Sequence, residues 1–193
     1  PQAKRAAARE LIFCHSQPTR FNSDATKSIA KNLAEELGAE FREYPIEDAF
    51  HDEIQALLEI TGLVPKGATP GNVQARIRGM REWNLANMLN ALWLQTGNMS
   101  EKAVGYTTIG GDLMGGYSLI GNLPKTVVIE LTKHLGKKHG IKTVEALSKT
   151  RASAELEEGQ FDEDQLMPFP VLDLCYLLVG GEMYSPADMY RVM

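Results

Sequence analysis

Leu11-Ile12-Phe13-Cys14 and Phe41-Arg42-Glu43-Tyr44-Pro45-Ile46 decide the fold, because of what stands between them. The first is a short apolar run, as a buried strand requires; the second alternates in part, as a strand with one covered face does. Between them Ile29, Ala30, Leu33, Ala34 and Leu37 recur at helical spacing, with Asn22 or Ser23 placed to cap the helix and Gly38 to stop it. Ser16 to Asn22 reads as a turn. A strand, a helix-length crossover and a second strand predict a parallel pair, since a helical return brings the chain back in its original direction.

Outward from this unit, Asp48 to Ile60 is expected to be helical and Pro65 to Gly71 to be a loop. A long helix follows from Asn72, carrying Val73, Ile77 and Met80, and no breaker marks its end before Ala91-Leu92-Trp93-Leu94-Gln95, read as a third buried strand. Gly110, Gly111, Gly115, Gly116 and Gly121 punctuate Thr107 to Asn122; interleaved Leu, Met, Tyr and Ile suit an ordered binding loop better than a linker. Asn122 is placed to cap a helix with Pro124 in its first turn and Val127, Val128, Leu131 and Leu135 on one face. Lys133 to Lys142 reads as a solvated cationic helix end, and Ala154 to Gln165 as an acidic mobile loop. Phe169 to Val179 is apolar up to the turn at Gly180-Gly181, and Ser185-Pro186-Ala187-Asp188 starts one more helix. The pattern is α/β, with a doubly wound parallel sheet.

The chain has 193 residues and is 44% hydrophobic, enough for one large domain with a core. Its net charge of -5 gives no basic footprint for nucleic acid, so any anion must be held by locally placed cations. Two cysteines, Cys14 and Cys175, lie inside apolar runs and read as reduced thiols rather than a disulfide framework or zinc site. Pro1 to Glu10 is charged, unlike a signal peptide, and no apolar run approaches the roughly 20 residues that cross a bilayer. The expectation is a cytoplasmic protein with no membrane and no nucleic-acid partner. His15, His51, His134 and His139 form no metal-ligand spacing, and no Ser–His–Asp or Cys–His arrangement stands out.

The chemistry-bearing residues cluster elsewhere. Gly71-Asn72-Val73-Gln74-Ala75-Arg76-Ile77-Arg78 puts two cations on a helix start, two positions apart and so diverging, leaving one for a phosphate and one for a salt bridge or water. Asn72 either caps that helix or meets a ligand at its N-terminus. Thr96-Gly97-Asn98-Met99-Ser100-Glu101 follows a strand, where ligands bind in open parallel sheets. Glu101 can hold a hard cation there, or Ser100-Glu101 simply starts a helix. Lys125 opposes the dipole of its own helix, a cost an anion at that end would cancel. Asp112 either accepts from a ligand or serves a turn.

Six segments together resemble the NAD synthetase family: Thr19-Arg20-Phe21-Asn22-Ser23; Gly71 to Arg76; Thr96 to Thr108; Gly111-Asp112-Leu113-Met114-Gly115-Gly116; Asn122-Leu123-Pro124-Lys125-Thr126; and Ser153-Ala154-Glu155-Leu156 with Asp162-Glu163-Asp164. The resemblance spans nearly the whole chain and implies an adenine nucleotide alpha hydrolase-like fold, present as a partial domain over residues 1–193, and a homodimer. It implies that ATP adenylates the nicotinate carboxylate of deamido-NAD and that ammonia then displaces AMP. By resemblance Thr96, Lys125 and Ser153 bind ATP; Asn72, Arg76, Glu101 and Asp112 bind deamido-NAD; and Glu101 holds magnesium.

Two departures qualify this picture. The family's Ser-Gly-Gly-x-Asp-Ser phosphate loop and its C-terminal basic segment are absent from the sequence, so the chain resembles the middle of a longer enzyme, inactive alone. The Gly-Asp-Leu-Met-Gly-Gly and Asn-Leu-Pro-Lys segments, with Ile109 and Gly116 where ammonia-dependent members carry polar contacts, resemble the glutamine-dependent subclass; glutamine or free ammonia both stay open as nitrogen source. Another adenylating ATP pyrophosphatase, or a non-catalytic dimerisation or nucleotide-binding module, are the alternatives.

Overall fold

The computed structural model describes residues 2–193. The charged N-terminal stretch forms α1 (Gln2–Leu11), built mostly from the good helix formers Ala, Arg, Lys and Glu. Leu11 therefore belongs to a helix, and β1 (Phe13–Ser16) begins two residues later than the apolar run suggests. β1 pairs in parallel with β2 (Glu40–Glu43), Phe13 opposite Glu40 and Ser16 opposite Glu43. The crossover is α2 (Asp24–Leu37): Ser23 accepts the Thr26 N–H at its start, and Gly38, at φ 81°, closes it in the left-handed region.

The densest apolar packing joins the next two helices. Ile46, Phe50, Val73 and Ile77 form a buried cluster between α3 (Glu47–Thr61) and α4 (Ala68–Leu89), with Phe21, Ala49, Ile54 and Leu57 packed against it. α4 starts at Ala68 rather than Asn72, so Thr69, Pro70 and Gly71 are helical and not loop. Pro70 is tolerated because first-turn N–H groups lack intrahelical acceptors anyway. Asn72 consequently lies past the first turn and is not the cap. The end of α4, unmarked by any glycine or proline, is made by Asn90 in the left-handed region at φ 49°.

The second parallel pair is β3 (Leu94–Gln95) with β4 (Tyr117–Ser118). Among the described residues the sheet is thus two separate parallel pairs, β1–β2 and β3–β4, so β1 and β3 each keep an edge with no strand against it. The apolar run before Thr96 is not the buried strand it resembles. Leu92 and Leu94 are exposed while Gln95 is buried, because strand alternation turns the polar residue inward.

The remaining helices are α5 (Met99–Ala103), α6 (Lys125–His139), α7 (Lys142–Leu147), α8 (Asp162–Gln165), α9 (Phe169–Tyr176) and α10 (Pro186–Val192); α9 runs on into a π-helical turn, Leu177–Gly181. Pro124 takes the N-cap position of α6, leaving Asn122 outside the helix and not its cap. α7 packs on α6 at Gly136, where an added Cβ would lie 3.0 Å from Val144 Cγ1. Glu36 of α2 accepts the Lys142 and Thr143 N–H groups at 2.9 and 3.0 Å, which caps α7 and pulls the Glu36 pKa down. No helix among the described residues is long and apolar enough to cross a membrane.

Candidate functional site

Lys125 is held at both ends by two other helices. Its side chain points at α5: Nζ lies 3.0 Å from Glu101 Oε1, with both side chains less than one-fifth exposed. The Phe169 ring of α9 lies under the same ammonium, 5.2 Å from Nζ to centroid. Its backbone N–H donates to Ser100 Oγ at 2.7 Å, and the next residue, Thr126, donates N–H and Oγ1 to Asp173 Oδ2 at 2.9 and 2.7 Å. Ser100 Oγ in turn donates to Asp173 Oδ1. The anion needed at this helix end is therefore supplied by the protein itself.

Glu101 does start a helix. Asn98 accepts its N–H while Glu101 Oε2 accepts the Asn98 N–H, a reciprocal capping box at the entry to α5. One carboxylate thus serves a cap and an ion pair together. Thr96 is exposed in the loop just after β3 and before this cap.

Asn72 and Arg76, one turn apart on α4, both grip the glycine-rich loop. Asn72 Oδ1 accepts the Thr108 hydroxyl at 2.7 Å, and Arg76 Nε donates to the Ile109 carbonyl at 3.1 Å. Asp112 serves the turn: its Oδ1 accepts the Thr108 N–H at 2.8 Å. The loop backbone lies directly on α4, since a Cβ at Gly111 would stand 2.8 Å from the Ala75 carbonyl carbon. The Asp112 carbonyl accepts from buried Gln95, whose Oε1 accepts from Lys102 of α5 at 2.9 Å. Hydrogen bonds therefore run from Asn72 through Thr108, Asp112 and Gln95 to the residue beside Glu101.

Arg78 diverges from Arg76 as the spacing requires. It is largely buried, donates from Nε to the Gln17 carbonyl at 3.0 Å, and desolvation lowers its pKa to about 10, which leaves it charged at neutral pH. With His15, Gln17, Glu82, Trp93 and Asp112 it lines a cavity of about 200 Å³. His15 Nδ1 lies 3.3 Å from Glu82 Oε1 but out of hydrogen-bonding alignment, and Gln17 Oε1 is also unpaired.

The acidic segment expected to be mobile is fastened at several points. Ser153 Oγ donates to the Gln160 carbonyl and accepts the Glu155 N–H at 3.1 Å. Glu155 accepts from Asn22, Ser23 and Thr26, and fully buried Gln74 donates to the Leu156 carbonyl at 2.8 Å. Tyr106 OH donates to Gln165 and accepts from Gln160, and burial pushes its pKa up to about 12. Burial also raises the pKa of Asp162, against the pull of nearby Lys125.

Ser100, Asp173, Phe169, Gln95, Lys102 and Thr108 organise these contacts and were not among the residues singled out from sequence. Ser100, Lys102 and Thr108 lie inside the motif Thr96 to Thr108; Asp173 sits in an apolar segment with no pattern around it. Among the described residues no three His, Cys, Asp or Glu side chains cluster as a self-sufficient metal cage.

The NAD synthase family model matches residues 3–189. A glutamine-dependent NAD(+) synthetase of Synechocystis is 39% identical over 171 residues, covering 89% of this chain and 30% of that protein. The solved glutamine-dependent NAD+ synthetase of Acinetobacter baumannii, in complex with ADP, superposes with TM-score 0.70 at 28% identity, covering 95% of this chain and 32% of that one. The NMN synthetase of Francisella tularensis gives TM-score 0.76 at 26% identity, covering 97% of this chain and 76% of that one. The chain spans about a third of the length of the curated relatives it matches. The motif order, the α/β architecture and the family match over almost every residue agree: the chain belongs to the NAD synthase family.

Proposed function

We propose that this chain contributes the nucleotide and dinucleotide contacts of an enzyme that amidates deamido-NAD to NAD at the expense of ATP. The observation that carries this is the hydrogen-bonded route from Asn72 through Thr108, Asp112 and Gln95 to Lys102, next to Glu101 and its partner Lys125. Asn72, Asp112 and Glu101, assigned to the dinucleotide, and Lys125, assigned to ATP, are parts of one polar framework, as a reaction between those ligands requires; Thr96, Arg76 and Ser153 lie outside that route. Thr96, Lys125 and Ser153 would contact ATP; Asn72, Arg76, Glu101 and Asp112 would contact deamido-NAD.

The chemistry follows from the substrates. A carboxylate is a poor electrophile. A nicotinate oxygen attacks the α-phosphorus of ATP, the bond to the bridging oxygen breaks, and pyrophosphate leaves. Ammonia then attacks the acyl carbon, AMP departs with the former carboxylate oxygen, and the nitrogen loses a proton as the amide forms. No protein nucleophile is needed. Lys125 can leave Glu101 for a phosphate oxygen, since the pair is intact only while no stronger anion competes.

Magnesium fits Glu101 as a single oxygen ligand. A carboxylate has lone pairs to spare beyond the bonds from Asn98 and Lys125, and magnesium is commonly held by one or two carboxylates plus substrate phosphates. When bound it would neutralise charge on the pyrophosphate. The nitrogen source is assigned to glutamine, hydrolysed by a domain outside this chain, on the strength of the glutamine-dependent relatives. A homodimer is assigned on Val127, Leu131 and Leu135, which recur every four residues along α6 and are exposed.

The test supplies the complete protein with ATP, magnesium, ammonia and either deamido-NAD or nicotinate mononucleotide. Equal amounts of NAD, AMP and pyrophosphate from deamido-NAD support the assignment. Amidation of the mononucleotide alone would move the substrate to the shorter nucleotide, and ATP binding without turnover would favour a non-catalytic module.

A further inference from the structure

Helix α6 has no local cap, since Pro124 at the N-cap position offers no side-chain acceptor. Its first two N–H groups are satisfied from a distance instead. Ser100 Oγ takes that of Lys125 and Asp173 Oδ2 takes that of Thr126, while Asp173 Oδ1 accepts the Ser100 hydroxyl. Both carboxylate oxygens of Asp173 are used on this junction, and Ser100 is almost completely buried.

The geometry on α9 sharpens the point. Asp173 stands four residues after Phe169, on the same helix face. Phe169, 2% exposed, lies against the Lys125 ammonium, and Asp173 fixes the backbone at the root of the same side chain. On α5 the neighbours Ser100 and Glu101 do likewise, one at the backbone and one at Nζ. α5 grips Lys125 twice, while α9 meets its ammonium through Phe169 and the adjoining Thr126 through Asp173, whose carboxylate joins Ser100 of α5 to the start of α6.

We propose that Asp173 is a positioning residue for the nucleotide site: through Ser100 and Thr126 it sets where Lys125 leaves the backbone, and hence where its ammonium meets phosphate. This rests on the ATP role proposed above for Lys125. Both carboxylate oxygens of Asp173 are engaged by Ser100 and Thr126, so it acts through them. The α6 N-terminus, with its first donors occupied by protein oxygens, is not itself a phosphate cradle; the side chain of Lys125 does the reaching.

The test uses Asp173→Asn in the complete protein. Losing an ionised cap of this kind weakens ATP binding about five- to tenfold, as removal of a helix cap does to the state it supports. KM for ATP rises by that factor while KM for deamido-NAD and for ammonia stays within twofold, and the Lys125 and Thr126 amides exchange with deuterium faster. Thr126→Val, which deletes the Oγ1 donor and keeps the backbone bond, shifts KM for ATP the same way by less. A merely structural role predicts less active protein with every KM unchanged. An Asp173→Asn enzyme with normal KM for ATP overturns the proposal while the ligase assignment stands, whereas a wild-type protein that neither binds ATP nor forms NAD overturns both.

Discussion

Lys125 Nζ lies 3.0 Å from Glu101 Oε1, each side chain more than four-fifths covered, although the two residues are 24 positions apart on different helices. Shielding of this degree separates the pair from the many surface ion pairs that contribute little. It also makes each partner costly to remove alone, because the survivor is a shielded charge with no counter-charge.

The first prediction follows from that asymmetry. Lys125→Met and Glu101→Gln each destabilise the protein by about 1–2 kcal/mol, and the double variant by less than their sum, giving a coupling of about 1 kcal/mol in a denaturation cycle. Glu101→Gln loses charge but keeps an acceptor for the Asn98 N–H, so it is the milder of the two. Purely additive losses would show that the pair is not coupled. Lys125→Met also lowers kcat/KM for ATP by about 100-fold, the scale of losing one preorganised charge at a transferring phosphate.

A second prediction concerns the close approach of the glycine-rich loop to α4. Gly111→Ala places a methyl 2.8 Å from the Ala75 carbonyl carbon and 2.9 Å from its Cβ, both on the body of a helix that cannot move aside. Overpacking of this kind costs about 1–3 kcal/mol. Because the loop carries Thr108, which Asn72 holds, KM for deamido-NAD rises while KM for ATP changes less. An unchanged denaturation midpoint would show that the loop does not rest on the helix.

The sequence disclosed these elements unevenly. The β1–α2–β2 unit was legible because each of its parts carries a local signal: Ser23 caps, Gly38 terminates, and the apolar stripe between them repeats at helical spacing. Asn72 and Asn122 misled for one reason. Asparagine before a helix is a good cap, but neither residue occupies the cap; Gly67 and Pro124 do, and the orphan N–H groups of α6 are met by Ser100 and Asp173 from elsewhere in the chain. No local pattern encodes a cap that arrives from 47 positions away. Leu92 and Leu94 read as core because a short apolar run carries no face information; only the partner strand reveals that Gln95 points inward. The acidic stretch after Ala154 reads as mobile by composition, yet Glu155 collects Asn22, Ser23 and Thr26. By resemblance Lys125 and Glu101 serve different ligands; their direct pairing appears only in the structure, since residues 24 positions apart share no local pattern.

A third prediction is one of pH. Burial raises the pKa of Asp162 above its unfolded value, with Lys125 opposing and Glu101 adding to the shift. A carboxyl whose pKa is raised by folding is bound to its proton more tightly in the native state. Its favourable contribution is complete below the unfolded pKa and is lost as pH rises through the folded one. Wild-type protein therefore gains stability relative to Asp162→Asn as pH falls from neutral into the acidic range where carboxylates titrate. Thermal midpoints of the two proteins across that range check the sign; a wild type that loses ground to the variant on acidification contradicts it.

The most direct measurement of the central claim follows an oxygen atom. Deamido-NAD labelled with heavy oxygen in its nicotinate carboxylate is turned over by the complete protein with ATP, magnesium and ammonia, and the AMP is examined by mass spectrometry. Attack of the carboxylate on the α-phosphorus predicts one labelled oxygen in each AMP formed. Label in inorganic phosphate, with ADP as the nucleotide product, would contradict the account.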